Sequence, residues 1–188
     1  MKVKVGISNH HVHLDKKNLE ILFGKDFELE IRNNLIQKGE FASSSTVKLI
    51  GPKGSIDNVR VLGPIRNYTQ VEISKTDSYV LGVNPPIRNS GDLKNSSSIK
   101  IVGPKGSVEL KEGVILANRH IHLTKKDRIN LDLVGIDKVK IKIDNEKGGI
   151  LDNVYLKESD NFVLECHLDT DDGNANVLKN GDLVEILK

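Results

Sequence analysis

The chain has 188 residues and a formal net charge of only +2, because 28 Lys and Arg are nearly matched by 26 Asp and Glu. The charges are interspersed and tryptophan is absent, so neither a basic face nor an aromatic-interleaved basic stripe indicates nucleic-acid binding. The lone cysteine, Cys166, excludes an intramolecular disulfide framework and a cysteine-rich zinc knuckle.

The predicted secondary structure is mostly β-strand. Short alternating runs separated by Gly, Pro, Asn and Asp turns are typical of strands, and the clearest are 46–50, 59–62, 98–102 and 139–143. Gly-Pro-Lys-Gly sequences at 51–54 and 103–106 predict tight hairpin turns. Short helices are predicted after the histidine-rich segments, with Asp15 and Thr124 as N-caps. The pattern favours a mainly β fold of two small closed barrels with short α-helices.

Five of the six histidines lie in two matched segments that each contain His-x-His-Leu. The segments are 8–14 and 117–123. Their alternating aliphatic residues predict strands, on which residues i and i+2 project from one face. His11 and His13 should therefore be neighbours, as should His120 and His122. Histidine is the commonest metal ligand, so the duplication favours a protein with two metals.

A longer internal repeat nominates a third ligand for each histidine pair. In both halves the order is histidine pair, hairpin, a third polar residue and Gly-Asp-Leu, and the third residue is Glu72 or His167. Two histidines with a glutamate, and three histidines, are both known catalytic zinc sets with an open position. Each set is called a half-site here. The first half-site is His11, His13 and Glu72, and the second is His120, His122 and His167.

Successive side chains on a strand point to opposite faces, so the residues next to these ligands should point away from the metals. His10 should point away from His11, and Cys166 should face the core rather than act as a nucleophile beside His167. Arg66, six residues before Glu72, is instead a candidate anion-binding residue. An arginine near a metal suggests that an anion lies between them, and its planar fork suits phosphate.

The chain resembles the PduL-type phosphate acyltransferases, the phosphate propanoyltransferase family, over essentially its whole length. The segments that carry the resemblance are 8–14, 63–66, 69–74, 81–92, 103–107, 110–115, 119–123 and 165–175. The resemblance implies a transferase that interconverts a short-chain acyl-CoA, acetyl- or propanoyl-CoA, plus phosphate with acyl phosphate plus CoA. It also implies two zinc ions per chain, although histidine-rich sites accept other divalent transition metals.

The family plan implies an interleaved chain with the metal site at the interface of two β-barrel domains. Residues 1–8 plus 118–188 would carry the second half-site, and residues 9–117 would carry the first half-site and the phosphate-binding Arg66. The resemblance places Gly6, Ile7, Ser8 and Asn174 along the CoA path. His10 stands where the family typically has arginine, as Arg119 does in the second segment.

Further expectations concern location and partners. No apolar run approaches membrane-spanning length and no signal peptide is visible, so we expect a cytoplasmic protein without membrane partners. The first motif begins at Ser8, which leaves no room for an N-terminal microcompartment-encapsulation helix. The resemblance also suggests a homodimer and coupling to an acetate or propionate kinase.

Two other functions fit the ligands. A dinuclear zinc hydrolase would use the same side chains, and phosphate dependence of acyl transfer would distinguish it. A non-catalytic metal-binding protein is the alternative from another class, and metal content without acyl-CoA turnover would favour it.

Overall fold

The computed structural model describes residues 1–188 and confirms a mainly β protein with four short helices. The strands are β1 (Lys2–Ser8), β2 (His11–Asp15), β3 (Ile31–Asn34), β4 (Phe41–Ile50), β5 (Ser55–Arg66), β6 (Gln70–Glu72), β7 (Ile87–Arg88), β8 (Ser97–Val102), β9 (Ser107–Ala117), β10 (His120–Leu123), β11 (Lys138–Lys142), β12 (Ile150–Glu158), β13 (Glu165–Asp169) and β14 (Leu183–Leu187). The helices are α1 (Lys16–Phe23), α2 (Lys75–Leu81), α3 (Lys125–Asn130) and α4 (Thr170–Ala175).

The chain forms two compact units, each with its own apolar core. One unit is Met1–Asn9 with Asn118–Lys188, and the other is His10–Ala117. The chain therefore passes from one unit to the other directly before each histidine strand. In consequence, β1 belongs to a different unit from the β2 strand that follows it, and β9 to a different unit from β10.

The unit that contains both chain ends is a closed barrel in the order β1-β13-β10-β12-β11-β14. The pairs β1–β13 and β10–β12 are parallel, and the other neighbours in the ring are antiparallel. Inward-facing residues such as Val5, Ile121, Ile141 and Cys166 are almost completely buried in its core. Alternation along each strand sends every second side chain into this core and the others outward.

The second unit closes in the same way. Its strands run β4-β5-β2-β6-β9, and β8 completes the ring by pairing with both β9 and β4. Within this ring the parallel pairs are β2–β5 and β6–β9. Strands β3 and β7 extend the sheet from β4 and β9. The two rings thus repeat one pairing pattern, in which β2, β5 and β6 correspond to β10, β12 and β13.

The predicted local elements are present. Gly51 N–H donates to Gly54 O at 2.9 Å, and Gly103 N–H donates to Gly106 O at 2.9 Å, which closes both predicted hairpins. Asp15 and Thr124 cap α1 and α3 as predicted, each accepting a hydrogen bond from a backbone N–H of the first turn.

Helices α2 and α4 were not predicted, because each is short and follows directly on a strand without an apolar helical period of its own. Ser74 begins α2 with a capping box to Asp77, and Asp169 caps α4. None of the helices combines the length and the apolar character that a membrane-spanning helix requires.

Candidate metal centres and anion site

The first half-site is assembled by two antiparallel strands. His11 and His13 lie on the same face of β2, and Glu72 on β6 is directly opposite His11. One ligand atom from each of these three side chains lies within 4.8 Å of the other two. His11 Nε2 is 3.5 Å from Glu72 Oε2. The predicted first set is therefore brought together, and both histidines are buried.

The second half-site has the same construction. His120 and His122 share a face of β10, and His167 on β13 is directly opposite His120. Their ligand atoms also lie within 4.8 Å of one another. The rings of His120 and His167 are stacked with centroids 4.9 Å apart, and Phe162 stacks on His122 with centroids 4.0 Å apart.

The hydrogen bonding of the rings suits a metal. His13 Nδ1, His122 Nδ1 and His167 Nε2 are buried without a hydrogen-bond partner, which is uncommon for buried polar atoms. His120 Nδ1 lies 2.8 Å from the carbonyl oxygen of Asn118 and can donate to it, which leaves Nε2 of that ring for a metal. Nitrogen and carboxylate donors in sets of three fit zinc and similar divalent ions.

The electrostatics favour neutral imidazoles, which is the form that binds metals. Burial is the main cause that lowers the pKa of His13 and of His120 well below 6.5. Burial, followed by the charges of His167 and Lys157, lowers the pKa of His122 to about 3. Lys157 on β12 is in register with His122, and the sequence analysis did not single it out.

Arg66 lies at the end of β5 beside the first half-site. Its Nη1 donates to Tyr68 Oη at 3.2 Å and to Ser90 Oγ at 3.1 Å, and its Nη2 is 3.5 Å from Glu40 Oε1. Its positive charge contributes, after burial and His11, to lowering the pKa of His13. The structure thus places the predicted anion-binding group within electrostatic reach of the first half-site.

A buried glutamine connects Arg66 to Glu72. Gln70 Nε2 donates to Glu72 Oε1 at 2.6 Å and to Ser90 Oγ at 2.8 Å, and its Oε1 accepts from Gly91 N–H at 2.7 Å. The sequence analysis missed Gln70 and Ser90. Strand parity could have found Gln70, because it is two residues from Glu72 and so shares its face. No nearby sequence pattern predicts that Ser90, which lies on a loop 24 residues from Arg66 in the chain, contacts this site.

A basic residue before each histidine strand contacts a carboxylate on the helix that follows the third ligand. Arg119 Nε and Nη2 donate to Asp172 Oδ2 and Oδ1 at 2.7 Å each. His10 Nδ1 lies 3.2 Å from Asp77 Oδ2 at the equivalent place. His10 therefore points away from the first metal group, as predicted, and replaces arginine as the partner of the helix carboxylate.

Cys166 faces the barrel core, as strand parity predicted. It is completely buried among aliphatic residues, and burial is the main cause that raises the pKa of its thiol to about 12. His167 projects from the opposite face of β13. A thiol with this pKa is not a nucleophile near neutral pH.

Three of the four residues predicted to line the CoA path lie on the strand that pairs with the strand of His167. Gly6, Ile7 and Ser8 on β1 are in register with His167 and the two residues after it. Asn174 is exposed on α4. Contact of these residues with CoA stays a prediction.

Together these features define a class of protein: two β-barrels of matching topology, each with three clustered side chains that could hold a metal, and one with an arginine beside them. The family model for phosphate propanoyltransferase matches residues 4–179. The chain therefore belongs to the phosphate propanoyltransferase family, as its sequence motifs predicted, and members of this family are acyltransferases.

Relatives named phosphate propanoyltransferase match nearly the whole chain. One from Thermotoga maritima is 48% identical over 185 residues, which cover 98% of this chain and 88% of the relative. One from Priestia megaterium is 47% identical over 180 residues, covering 96% of this chain and 83% of the relative. One from Rhodopseudomonas palustris is 43% identical over 187 residues, covering 100% of this chain and 83% of the relative.

Proposed function

We propose that this chain transfers a short acyl group, acetyl or propanoyl, between CoA and inorganic phosphate. The observation that carries the proposal is the position of Arg66 beside a cluster that can hold a metal cation. Two neighbouring cationic groups favour an anion between them, and phosphate matches the planar fork of a guanidinium. The names of the relatives support the same substrates.

Each half-site would hold one zinc ion or a similar divalent metal. His11, His13 and Glu72 would hold the first, and His120, His122 and His167 the second. Sets of three protein ligands leave a position open for a substrate atom, as in catalytic sites. When bound, the metal supplies Lewis acidity for a carbonyl oxygen and a soft partner for a thiolate.

The side chains of the first barrel would bind and orient phosphate. The Tyr68 and Ser90 hydroxyls hold one edge of the Arg66 guanidinium, so its orientation is set before phosphate arrives. Phosphate can replace the contact with Glu40, which at 3.5 Å is longer than a normal charge-assisted hydrogen bond.

In the reaction a phosphate oxygen attacks the thioester carbon, the new C–O bond forms, and the C–S bond breaks to release CoA as thiolate. Phosphate is itself a nucleophile, so no acyl-enzyme is required. The burial of Cys166 on the core face of β13 agrees with a direct transfer. CoA would reach the site past Gly6, Ile7, Ser8 and Asn174. A homodimer and a partner acetate or propionate kinase are also part of this proposal.

The test is a thiol-release assay with acetyl-, propanoyl- and butanoyl-CoA, with and without phosphate, together with metal analysis. We expect release that requires phosphate, acyl phosphate as the product, and about two metal ions per chain. Release that is independent of phosphate would instead establish a hydrolase. Bound metal without turnover of any acyl-CoA would establish a metal-binding protein.

A further inference from the structure

Glu165 and Gln70 occupy equivalent positions in the two barrels. Each is two residues before the third candidate ligand on its strand, so it shares a face with that ligand. Gln70 is in register with His13, and Glu165 is in register with His122. Both side chains are buried.

Each of these residues contacts the third ligand of its own half-site. Gln70 Nε2 donates to Glu72 Oε1 at 2.6 Å. Glu165 Oε2 lies 3.0 Å from His167 Nε2, yet that nitrogen has no hydrogen-bond partner. The two atoms are therefore close without the alignment of a hydrogen bond. Glu165 lies beside Nε2 of His167 and is not part of the three-histidine cluster.

The neighbouring strand leaves room for this carboxylate. Gly6 on β1 is in register with His167, and a Cβ atom at Gly6 would lie only 2.7 Å from Glu165 Oε1. Any residue with a side chain would displace the carboxylate from its place beside His167. The absence of a side chain at Gly6 leaves room for the Glu165 carboxylate. This packing role of Gly6 does not depend on CoA.

Each half-site therefore has one acidic side chain, which is the third ligand in the first half-site and the neighbour of the third ligand in the second. In the first, the carboxylate is the ligand Glu72 and its neighbour Gln70 is neutral. In the second, the third ligand is the imidazole of His167 and its neighbour Glu165 is the carboxylate. We propose that Glu165 is a positioning residue that acts through its close contact with His167 and supplies to the second metal the negative charge that Glu72 supplies to the first. This inference rests on the metal sites of the proposed function.

Mutation of an outer-shell residue that contacts a metal ligand typically lowers metal affinity by about 10- to 100-fold. The test uses full-length protein in a His13→Ala background, which leaves only the second half-site complete. Glu165→Gln keeps the shape and removes the charge. Glu185→Gln, at a partly exposed residue of β14 in the same barrel that lies near the N-terminal amino group, is the matched control. Zn²⁺ affinity is measured by competition with a chelator, and the visible spectrum of bound Co²⁺ reports ligand geometry.

We expect Glu165→Gln to weaken Zn²⁺ binding by about 10- to 100-fold and to change the Co²⁺ spectrum, while Glu185→Gln does neither. Gly6→Ala should weaken binding in the same direction, because it moves the carboxylate. Glu165→Asp, which keeps the charge, should retain part of the affinity and serves as the test if Glu165→Gln does not fold.

The outcomes separate this inference from the proposed function. If the parent chain binds fewer than two ions, the metal sites of the proposed function are wrong and Glu165 has no metal to serve. If the parent binds two ions and Glu165→Gln and Gly6→Ala both keep the affinity and spectrum of the His13→Ala protein, only the role of Glu165 is overturned. Equal losses in Glu165→Gln and Glu185→Gln would also overturn it, since they would reflect nonspecific electrostatics.

Discussion

Asp172 accepts hydrogen bonds from both Nε and Nη2 of Arg119, each 2.7 Å long. Asp172 is five residues after His167 in the chain, and Arg119 directly precedes His120. The pair therefore joins α4 to the start of β10 and restrains two strands that carry ligands of the second half-site. His10 and Asp77 do the same for the first half-site with one contact of 3.2 Å.

Arg119→Ala should destabilise the metal-free protein by about 1–3 kcal/mol, because it leaves the half-buried Asp172 without its charged partner. It should also weaken the second metal more than the first. Denaturant titration after chelation gives the stability, and chelator competition gives the affinities. His10→Ala, which removes a longer contact with Asp77, should cost less, and His10→Arg should keep activity. An Arg119→Ala protein with parental stability would contradict the role of the pair.

His167→Ala should remove about one of the two metal ions, because each half-site has its own three ligands. Metal analysis of the purified variant, by mass spectrometry of the elements, measures this. His13→Ala is the matched variant in the other barrel and should remove the other ion. Retention of both ions by His167→Ala would show that His167 is not a ligand.

Arg66→Ala should raise the apparent Michaelis constant for phosphate steeply and lower turnover, while metal content stays near that of the parent. Arg66→Lys should recover only part of the loss, because an ammonium lacks the planar fork. Phosphate titration at saturating acyl-CoA measures both effects. Arg32→Ala, at an exposed residue of β3 in the same unit, is a suitable control. An unchanged phosphate dependence in Arg66→Ala would remove the argument for an anion site.

The metal-free protein should lose stability as pH falls below about 6.5. The folded-state pKa values of His13, His120 and His122 lie below 6.5, so the unfolded chain binds more protons in this range and is favoured. For His122 the effect extends down to pH about 3. Denaturant titrations of chelated protein at several pH values between 7.5 and 5 test this. His122→Ala should show a shallower dependence, and stability that rises on acidification would contradict the prediction.

Cys166 should react very slowly with iodoacetamide in the native protein, because its thiol is buried and its pKa is raised to about 12. It should react readily after unfolding in denaturant, which provides the control. Cys166→Ala should retain activity within a few-fold and lose about 1 kcal/mol of stability from the small cavity. A loss of activity with metal content intact would place the thiol in the site after all.

The sequence alone was sufficient for the features that depend on local pattern. Alternation predicted that His11 and His13 share a face, and the turn residues predicted the two Gly-Pro-Lys-Gly hairpins. The internal repeat went further, since it proposed Glu72 and His167 as third ligands, and the structure brings each of them to its histidine pair. Their binding of metal stays a prediction.

Tertiary structure alone decided which strands became neighbours and in which register. The alternation of side chains along a strand shows which face each one occupies. The closure of each barrel decides which other strand pairs with it. Strand pairing placed Glu165 beside His167, in the space that the missing side chain of Gly6 leaves free. It also brought Ser90 into contact with Arg66, 24 residues away in the sequence. These contacts join residues without a local sequence relationship. They follow from the pairing of whole strands and the packing of a shared core, which the pattern of any one segment does not determine.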